Sequence, residues 1–251
     1  MSDLSIGLPG TTSPATIAGL APLVEAAGFR TLWLNDTAQG DALAGLAVAA
    51  AVTTTLGLGV GVIALDRRSV AEIAAALPGL PLDRLTVGVG AGSPRDALAR
   101  VRTGVEQLRA TTSAAIVVGG LGPRMRQLAA EVADGVLLNW LTPAAATSAT
   151  RDLHATASGA RSILYVRTAV DAGAVPNLRG EAERYGGIAS YAANLERIGA
   201  TAMETTIVPD ELAARLQEFG SGVDELVLRA ITVDPSFDSL ARFAERVAPS
   251  H

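Results

Sequence analysis

Few residues in this chain can do chemistry, and the residue types that are missing narrow the field. There is no cysteine, and all 20 cationic residues are arginine. Disulfides, thiolate metal sites and cysteine nucleophiles are excluded, as is Schiff-base chemistry, lysine-linked pyridoxal phosphate included. The two histidines, His154 and His251, cannot build a His-rich metal site, so no metal is expected. His154 falls in a predicted outer helix and His251 is the last residue given; both read as exposed and inert. Without a G-x-S-x-G motif or a well-placed histidine, serine hydrolase chemistry is unsupported.

Polar residues at the ends of apolar runs are the remaining candidates. Trp33-Leu34-Asn35-Asp36 closes one such run, which would deliver Asn35 and Asp36 to a common mouth. That pair could bind substrate or act in acid–base catalysis, although Asp36 could equally cap a loop or helix. Asn139-Trp140 has the same dual reading. Arg167 and Arg229 lie in otherwise apolar strands. A buried arginine must be paired, so an anionic ligand or an internal carboxylate should face each of them.

Glycine clusters supply a second set. Val117-Val118-Gly119-Gly120-Leu121-Gly122-Pro123-Arg124 runs from a buried strand through a Gly-rich turn into a helix with Pro123 near its start. The turn could cradle a phosphate on free backbone N–H groups at a positive helix end, with Arg124 adding a charged contact. It could also be a tight strand-to-helix turn that needs glycine for positive φ. Gly88–Pro94 lacks the spacing of a dinucleotide fingerprint. Gly90, Gly92 and Ser93 in that segment, with Gly59 and Gly61 in an earlier strand, mark close backbone approach. A cofactor or a neighbouring strand could be what approaches.

Positioning such residues requires short strands that end together. Eight apolar runs read as strands: Leu4–Leu8, Thr31–Leu34, Leu56–Ile63, Leu85–Val89, Ala115–Val118, Gly135–Leu138, Ile163–Val170 and Glu225–Leu228. Most are continuously apolar, as parallel strands buried on both faces are. Ala-rich segments of helical period separate them, with apparent starts at Ser13-Pro14, Ser69, Ser93-Pro94, Thr142-Pro143 and Asp234-Pro235. The expected architecture is a (β/α)8 TIM barrel over residues 1–251 as a single domain, preferred to an open doubly wound sheet. Asp171–Ile207 breaks the rhythm and reads as an insertion after the seventh strand, either a lid on the catalytic face or a surface decoration.

The composition, 49% hydrophobic and 18% charged, suits a globular chain with a large core, and its sparse charge points to a homodimer. A net charge of −5 with no basic stripe argues against nucleic acid. Apolar runs too short to span a membrane, and no secretory signal in Met1–Ser13, suggest a cytoplasmic protein.

Together these segments resemble the luciferase-like monooxygenases. The resemblance is carried by Gly28-Phe29-Arg30-Thr31-Leu32-Trp33-Leu34, by Ala47–Thr55 leading into Leu56–Val60, and by Leu85–Gly92. Gly119–Arg124 followed by Leu128–Asn139 is the most specific part and resembles the deazaflavin-dependent branch; Pro209–Arg229 resembles the C-terminal unit. The resemblance implies the same barrel and an oxidoreductase or monooxygenase performing hydride transfer on a small organic substrate. It also implies coenzyme F-420 or FMN at the C-terminal mouth. The phosphate would sit on Gly119, Gly120, Leu121, Gly122, Pro123 and Arg124. Gly59–Ile63 and Gly90–Ser93 would line the ring, with Asn139 beside it. The family often has an acidic residue followed by histidine after the second strand; here the pair is Asp36-Thr37. Asp36 then takes the acid–base role, or this member needs none, or the chain binds its cofactor without turnover. The other alternative is an unrelated phosphate-binding barrel, an isomerase or lyase.

Overall fold

The eight apolar runs pair in chain order. In the computed structural model, which describes residues 2–249, they close a parallel barrel from β1 round to β8. β1 (Asp3–Pro9), α1 (Pro14–Ala26), β2 (Thr31–Asn35), α2 (Ala42–Val52), β3 (Gly57–Ala64), α3 (Val70–Ala75), β4 (Leu85–Gly90) and α4 (Ala97–Arg109) form the first half. β5 (Ala115–Gly119), α5 (Pro123–Val132), β6 (Gly135–Asn139), α6 (Pro143–Thr156) and β7 (Arg161–Ala169) follow. The insertion holds α7 (Val175–Gly186) and α8 (Ala189–Ile198), and α9 (Leu212–Gly220), β8 (Glu225–Ile231) and α10 (Phe237–Arg246) complete the chain. His251 lies outside the described residues.

Strand alternation produces two cores. Residues of one parity, such as Leu32, Val60, Val87 and Leu228, pack outward against the helices. Trp33, Val117, Leu137, Ile163, Tyr165 and Val227, of the other parity, fill the barrel interior. In β3 the register shifts between Val60 and Ile63, and the Gly61–Val62 peptide is cis. The shift turns Val62 inward beside the interior cluster.

One carboxylate closes the N-terminal end of the interior. Glu225, 1% exposed, accepts hydrogen bonds from the Ser5 hydroxyl at 2.6 Å and the Trp33 indole at 2.7 Å. Its second oxygen lies 3.2 Å from the Arg161 guanidinium. Buried charge is tolerated only with such partners.

Several helix starts follow their residue types. Ser13 and Thr142 cap α1 and α6 through Thr16 N–H and Ala145 N–H, and Ser69 with Glu72 forms a complete capping box on α3. Two expected starts are displaced. α4 begins at Ala97, after a left-handed Asp96, because the Ser93 N–H is held by Asp66 and its carbonyl by Arg100. α10 is capped by Ser236, whose own N–H is held by Asp234 at 2.9 Å.

Glu25 reaches from α1 to the loop before β3, accepting from the N–H groups of Thr54, Thr55 and Leu56 at 2.6–2.9 Å. The Thr55 N–H contributes most, and the carboxyl is lowered from 4.5 to about 2. A depressed carboxylate stabilises the fold above its unfolded value, and that stability is lost as pH falls. Glu25→Gln is therefore expected to cost about 1 kcal/mol at neutral pH, after allowance for exposure. Denaturant midpoints should show the difference shrinking as pH falls from 4.5 towards 2.

Candidate active site

The C-terminal mouth divides into a polar half and a glycine half. Asn35, Asn139, Arg167 and Arg229 occupy positions of inward parity towards the C-terminal ends of β2, β6, β7 and β8; Arg167 and Arg229 are register partners. Arg167 is only 4% exposed. Its Nε donates to Glu181 at 3.0 Å and its Nη1 to Asn139 Oδ1. The guanidinium lies 4.2 Å from the Trp140 ring centroid and 4.9 Å from that of Tyr185, a stacked arrangement that lysine could not reproduce. Burial alone would raise the Glu181 carboxyl, but Arg167, Arg229 and Arg184 hold it below the ordinary range. Glu181 lies on α7, so the insertion contributes directly to the mouth.

Asn35 joins β2 to both neighbours. Its amide nitrogen donates to the Gly61 carbonyl at 2.6 Å, and its oxygen accepts from Arg229 Nε at 2.9 Å. Arg229 also donates to the Ala230 carbonyl and makes no ion pair among the described residues. Asp36 turns away from this group. Its carboxylate, 4% exposed, is paired with Arg67 and accepts from Ala42 N–H at 3.3 Å. It thereby ties β2 to the start of α2.

Two further features mark this half. Trp140 adopts a left-handed backbone, φ 52°, which is uncommon outside glycine and costs on the order of 1–3 kcal/mol. Its indole N–H and the Tyr165 hydroxyl are buried without a partner. Burial pushes the Tyr165 phenol far above its usual range, so it remains a proton donor.

The glycine half comes from β3, β4 and β5, and its glycines have packing reasons. A Cβ at Gly59 would lie 2.3 Å from the Trp33 ring, and one at Gly61 would lie 2.8 Å from Leu137 and 3.2 Å from the Tyr165 hydroxyl. At Gly90 it would meet Val62 at 2.9 Å. Gly92, φ 72°, is left-handed, and a Cβ there would strike the Asp66 carboxylate, which also holds Ser93 N–H at 2.7 Å.

The turn from Gly119 to Arg124 leads into α5 at the same end of the barrel. Positive φ is not why it is glycine-rich: only Gly28, Gly79, Gly92 and Gly199 adopt it among the described glycines. Gly120 instead lies against Val136, at 2.5 Å from a notional Cβ, and its N–H donates to the Leu137 carbonyl at 3.0 Å. Gly122 is different. It is the N-cap of α5 in extended conformation, makes no side-chain cap, and a Cβ there would meet nothing within 4 Å. A cleft of about 530 Å³ opens beside it, lined by Leu98, Gly122, Pro123, Arg124 and Arg197 among others. Arg126 donates to the Leu121 carbonyl at 3.1 Å. Its pKa is lowered, first by burial and then by the charge of Arg197. Arg197 and the exposed Arg124 thus line open space at a helix N-terminus without a side-chain cap.

Residues 3–113, from β1 to the end of the fourth βα unit, match the family model described as luciferase-like monooxygenase. Over these residues the chain is similar to that family. Solved structures extend the likeness over the rest of the fold. The coenzyme F-420-dependent tetrahydromethanopterin reductase from Methanopyrus kandleri is 16% identical, with TM-score 0.73, covering 99% of this chain and 98% of that one. An F-420-dependent secondary alcohol dehydrogenase, in complex with an F-420-acetone adduct, is also 16% identical, with TM-score 0.77, covering 99% and 100%. A monooxygenase from Streptomyces bottropensis is 19% identical, with TM-score 0.69, covering 98% of each chain. No curated protein sequence matches.

The barrel brings Asn35, Gly61, Gly90 and Asn139 around one mouth and places Gly119–Arg124 at its side. Asp36, Gly59, Gly92 and Ser93 are occupied in packing or polar contacts within the chain. Glu181, Tyr185, Arg126 and Arg197 were not legible as site residues. Three of the four lie in the insertion, and Glu181 and Tyr185 fall in the segment Asp171–Tyr185 where the family resemblance is weakest. The one available signal was the expectation that Arg167 needs an internal carboxylate, which Glu181 satisfies. His154, expected to be exposed and inert, is half-buried at the opposite end and paired with Asp224 at 3.0 Å.

Proposed function

We propose that this barrel is a luciferase-like, F-420- or FMN-dependent oxidoreductase acting by hydride transfer on a small organic substrate at the C-terminal mouth. The carrying observation is the uncapped α5 N-terminus, with Arg124 and Arg197 lining open space at Gly122. An anion there would complete the helix end and relieve the Arg126–Arg197 repulsion, which fits a cofactor phosphate. The neighbours named for F-420 and a monooxygenase constituent from Pseudomonas putida named as an FMN complex support the same cofactor pair.

In this reading Gly119–Arg124 holds the phosphate. Asn35, Asn139, Gly61, Gly90 and Val62 bound the space for a flat ring. The flavin or deazaflavin supplies the hydride-transferring centre when bound, so the protein needs to orient rather than react. Asn35 presents a polar group held between Gly61 and Arg229, the buried Tyr165 hydroxyl holds a proton, and the aromatic residues of the insertion exclude water. Asp36 positions α2 through Ala42 and Arg67; a direct acid–base role would require that pair to open.

Titration with FMN, riboflavin and F-420, followed by absorbance, tests the assignment. Arg124→Ala should weaken binding of the phosphate-bearing cofactors about tenfold to a hundredfold while leaving riboflavin unchanged. Equal binding by parent and variant would place the phosphate elsewhere.

A second reading, cofactor binding without turnover, draws on the engagement of the Asp36 carboxylate by Arg67. Asp36→Asn separates them. Lost turnover at unchanged melting temperature assigns Asp36 a role in the reaction, whereas a lower melting temperature with normal turnover leaves it a structural tie. A parent that binds cofactor but never reduces or oxidises it supports the second reading. A homodimer is part of the proposal. Leu23, Val52 and Phe237 are exposed apolar residues on the adjoining helices α1, α2 and α10, and sedimentation at micromolar protein tests it.

A further inference from the structure

Arg229 is a cation that the fold brings into the mouth without an ion pair of its own among the described residues, since the nearby Glu181 carboxylate is bonded to Arg167. A guanidinium carries five N–H donors. The Arg229 Nε proton goes to Asn35 Oδ1 at 2.9 Å and one Nη1 proton goes to the Ala230 carbonyl. No protein acceptor takes the Nη2 protons among the described residues. The neighbouring Glu181 carboxylate is committed to Arg167 at 3.0 Å, so two arginines share one anion. Val227 and Tyr165, on the inward face of the adjoining strands, are buried, and the Arg167 guanidinium beside Arg229 stacks on Trp140 and Tyr185.

Two readings were open for this residue, an internal carboxylate or an anionic ligand. Arg167 meets the first and Arg229 does not. Asn35 holds the guanidinium through Nε, which leaves the Nη2 protons as its uncommitted donors. A guanidinium edge matches a planar carboxylate better than a neutral carbonyl. The Tyr165 hydroxyl lies by Gly61, whose carbonyl holds the other end of the Asn35 amide. It is a second donor without a partner in the same group of residues.

We propose that the substrate carries a carboxylate and that Arg229 binds it, with Asn35 as the residue that positions Arg229. The inference rests on the proposed function only in taking this mouth as the substrate's place. A bound carboxylate would balance the excess positive charge of the Arg167–Arg229–Glu181 group. The same guanidinium chemistry would also accept a cofactor phosphate, and the experiment distinguishes the two.

The test is calorimetric titration of the purified protein with isobutyrate and with isobutyramide, a neutral probe of the same shape. The parent should bind the acid about ten- to a hundredfold more tightly than the amide. Arg229→Gln should abolish that preference and Arg229→Lys should retain part of it, because lysine keeps the charge but loses the planar fork. Melting temperatures establish that both variants are folded, and the lysine variant decides the matter if the glutamine variant is not. Equal binding of acid and amide by the parent, or a preference that survives Arg229→Gln, overturns the proposal. So does an Arg229→Gln protein that binds FMN more weakly but riboflavin normally, since Arg229 would then hold the cofactor phosphate. A parent that discriminates acid from amide yet binds neither FMN nor F-420 keeps Arg229 as a carboxylate site and removes the function proposed above.

Discussion

Glu225→Ala is expected to lower the stability of the barrel by about 3–5 kcal/mol, a drop of roughly 10 °C in melting temperature. The carboxylate is 1% exposed and serves three partners at once. Removing it orphans the Trp33 indole N–H and the Ser5 hydroxyl inside the barrel, each at about 1–3 kcal/mol, and leaves a cavity between them. Arg161 suffers less, because it is partly exposed and keeps Asp3 at 2.9 Å. Glu225→Gln separates the contributions. It preserves an acceptor for Trp33 and Ser5 while deleting the charge facing Arg161, so its loss should be nearer 1 kcal/mol. Chemical denaturation of the three proteins reads the series. Equal destabilisation by alanine and glutamine would mean that the ion pair, rather than the two buried hydrogen bonds, dominates. Cofactor affinity should be unchanged in Glu225→Gln, since the network sits at the opposite end of the barrel from the mouth.

Gly122→Asp should move stability and cofactor affinity in opposite directions. Gly122 is the N-cap of α5 with φ −99° and ψ 162°, a conformation open to any residue, and a Cβ there has free space around it. Aspartate is a better N-cap than glycine, and a negative charge at a helix start is favourable. The fold should gain about 0.5 kcal/mol. A phosphate bound at the same N–H groups would then face a carboxylate about 4 Å away. That repulsion ranges from about 1 kcal/mol in water to about 4 kcal/mol at a protein surface. FMN and F-420 affinity should fall by between about fivefold and about a thousandfold, with riboflavin affected little. A variant that is more stable and still binds FMN as the parent does would remove the phosphate from α5. Gly120→Val is the less informative substitution, because its Cβ would collide with Val136 and Arg126 whether or not a ligand binds.

The barrel was legible because its signal is local and repeated. Continuous apolar runs such as Leu85–Val89 and Ile163–Val170 can be buried only on both faces, and eight of them alternating with amphipathic stretches leave few arrangements. All eight expected strands are present, and the capping residues Ser13, Ser69 and Thr142 each act within their own turn. Where a cap depends on something distant, local reading fails. Ser93 looked like a helix start, but Asp66 and Arg100 hold it in a loop.

The sequence alone determined the class of architecture, the ends of strands at which polar residues gather, and the absence of cysteine and lysine chemistry. It also showed that Arg167 and Arg229 required partners. It could not say which partners, because pairing depends on atoms brought together across the barrel. Glu181 reaches Arg167 only because the insertion folds back over β7, and Glu225 meets Trp33 only because the sheet closes on itself. Tertiary structure also decided that Asp36 faces Arg67 while its neighbour Asn35 faces the mouth, since adjacent side chains at a strand end point to opposite sides. The same closure gave Arg167 an ion pair and left Arg229 without one among the described residues.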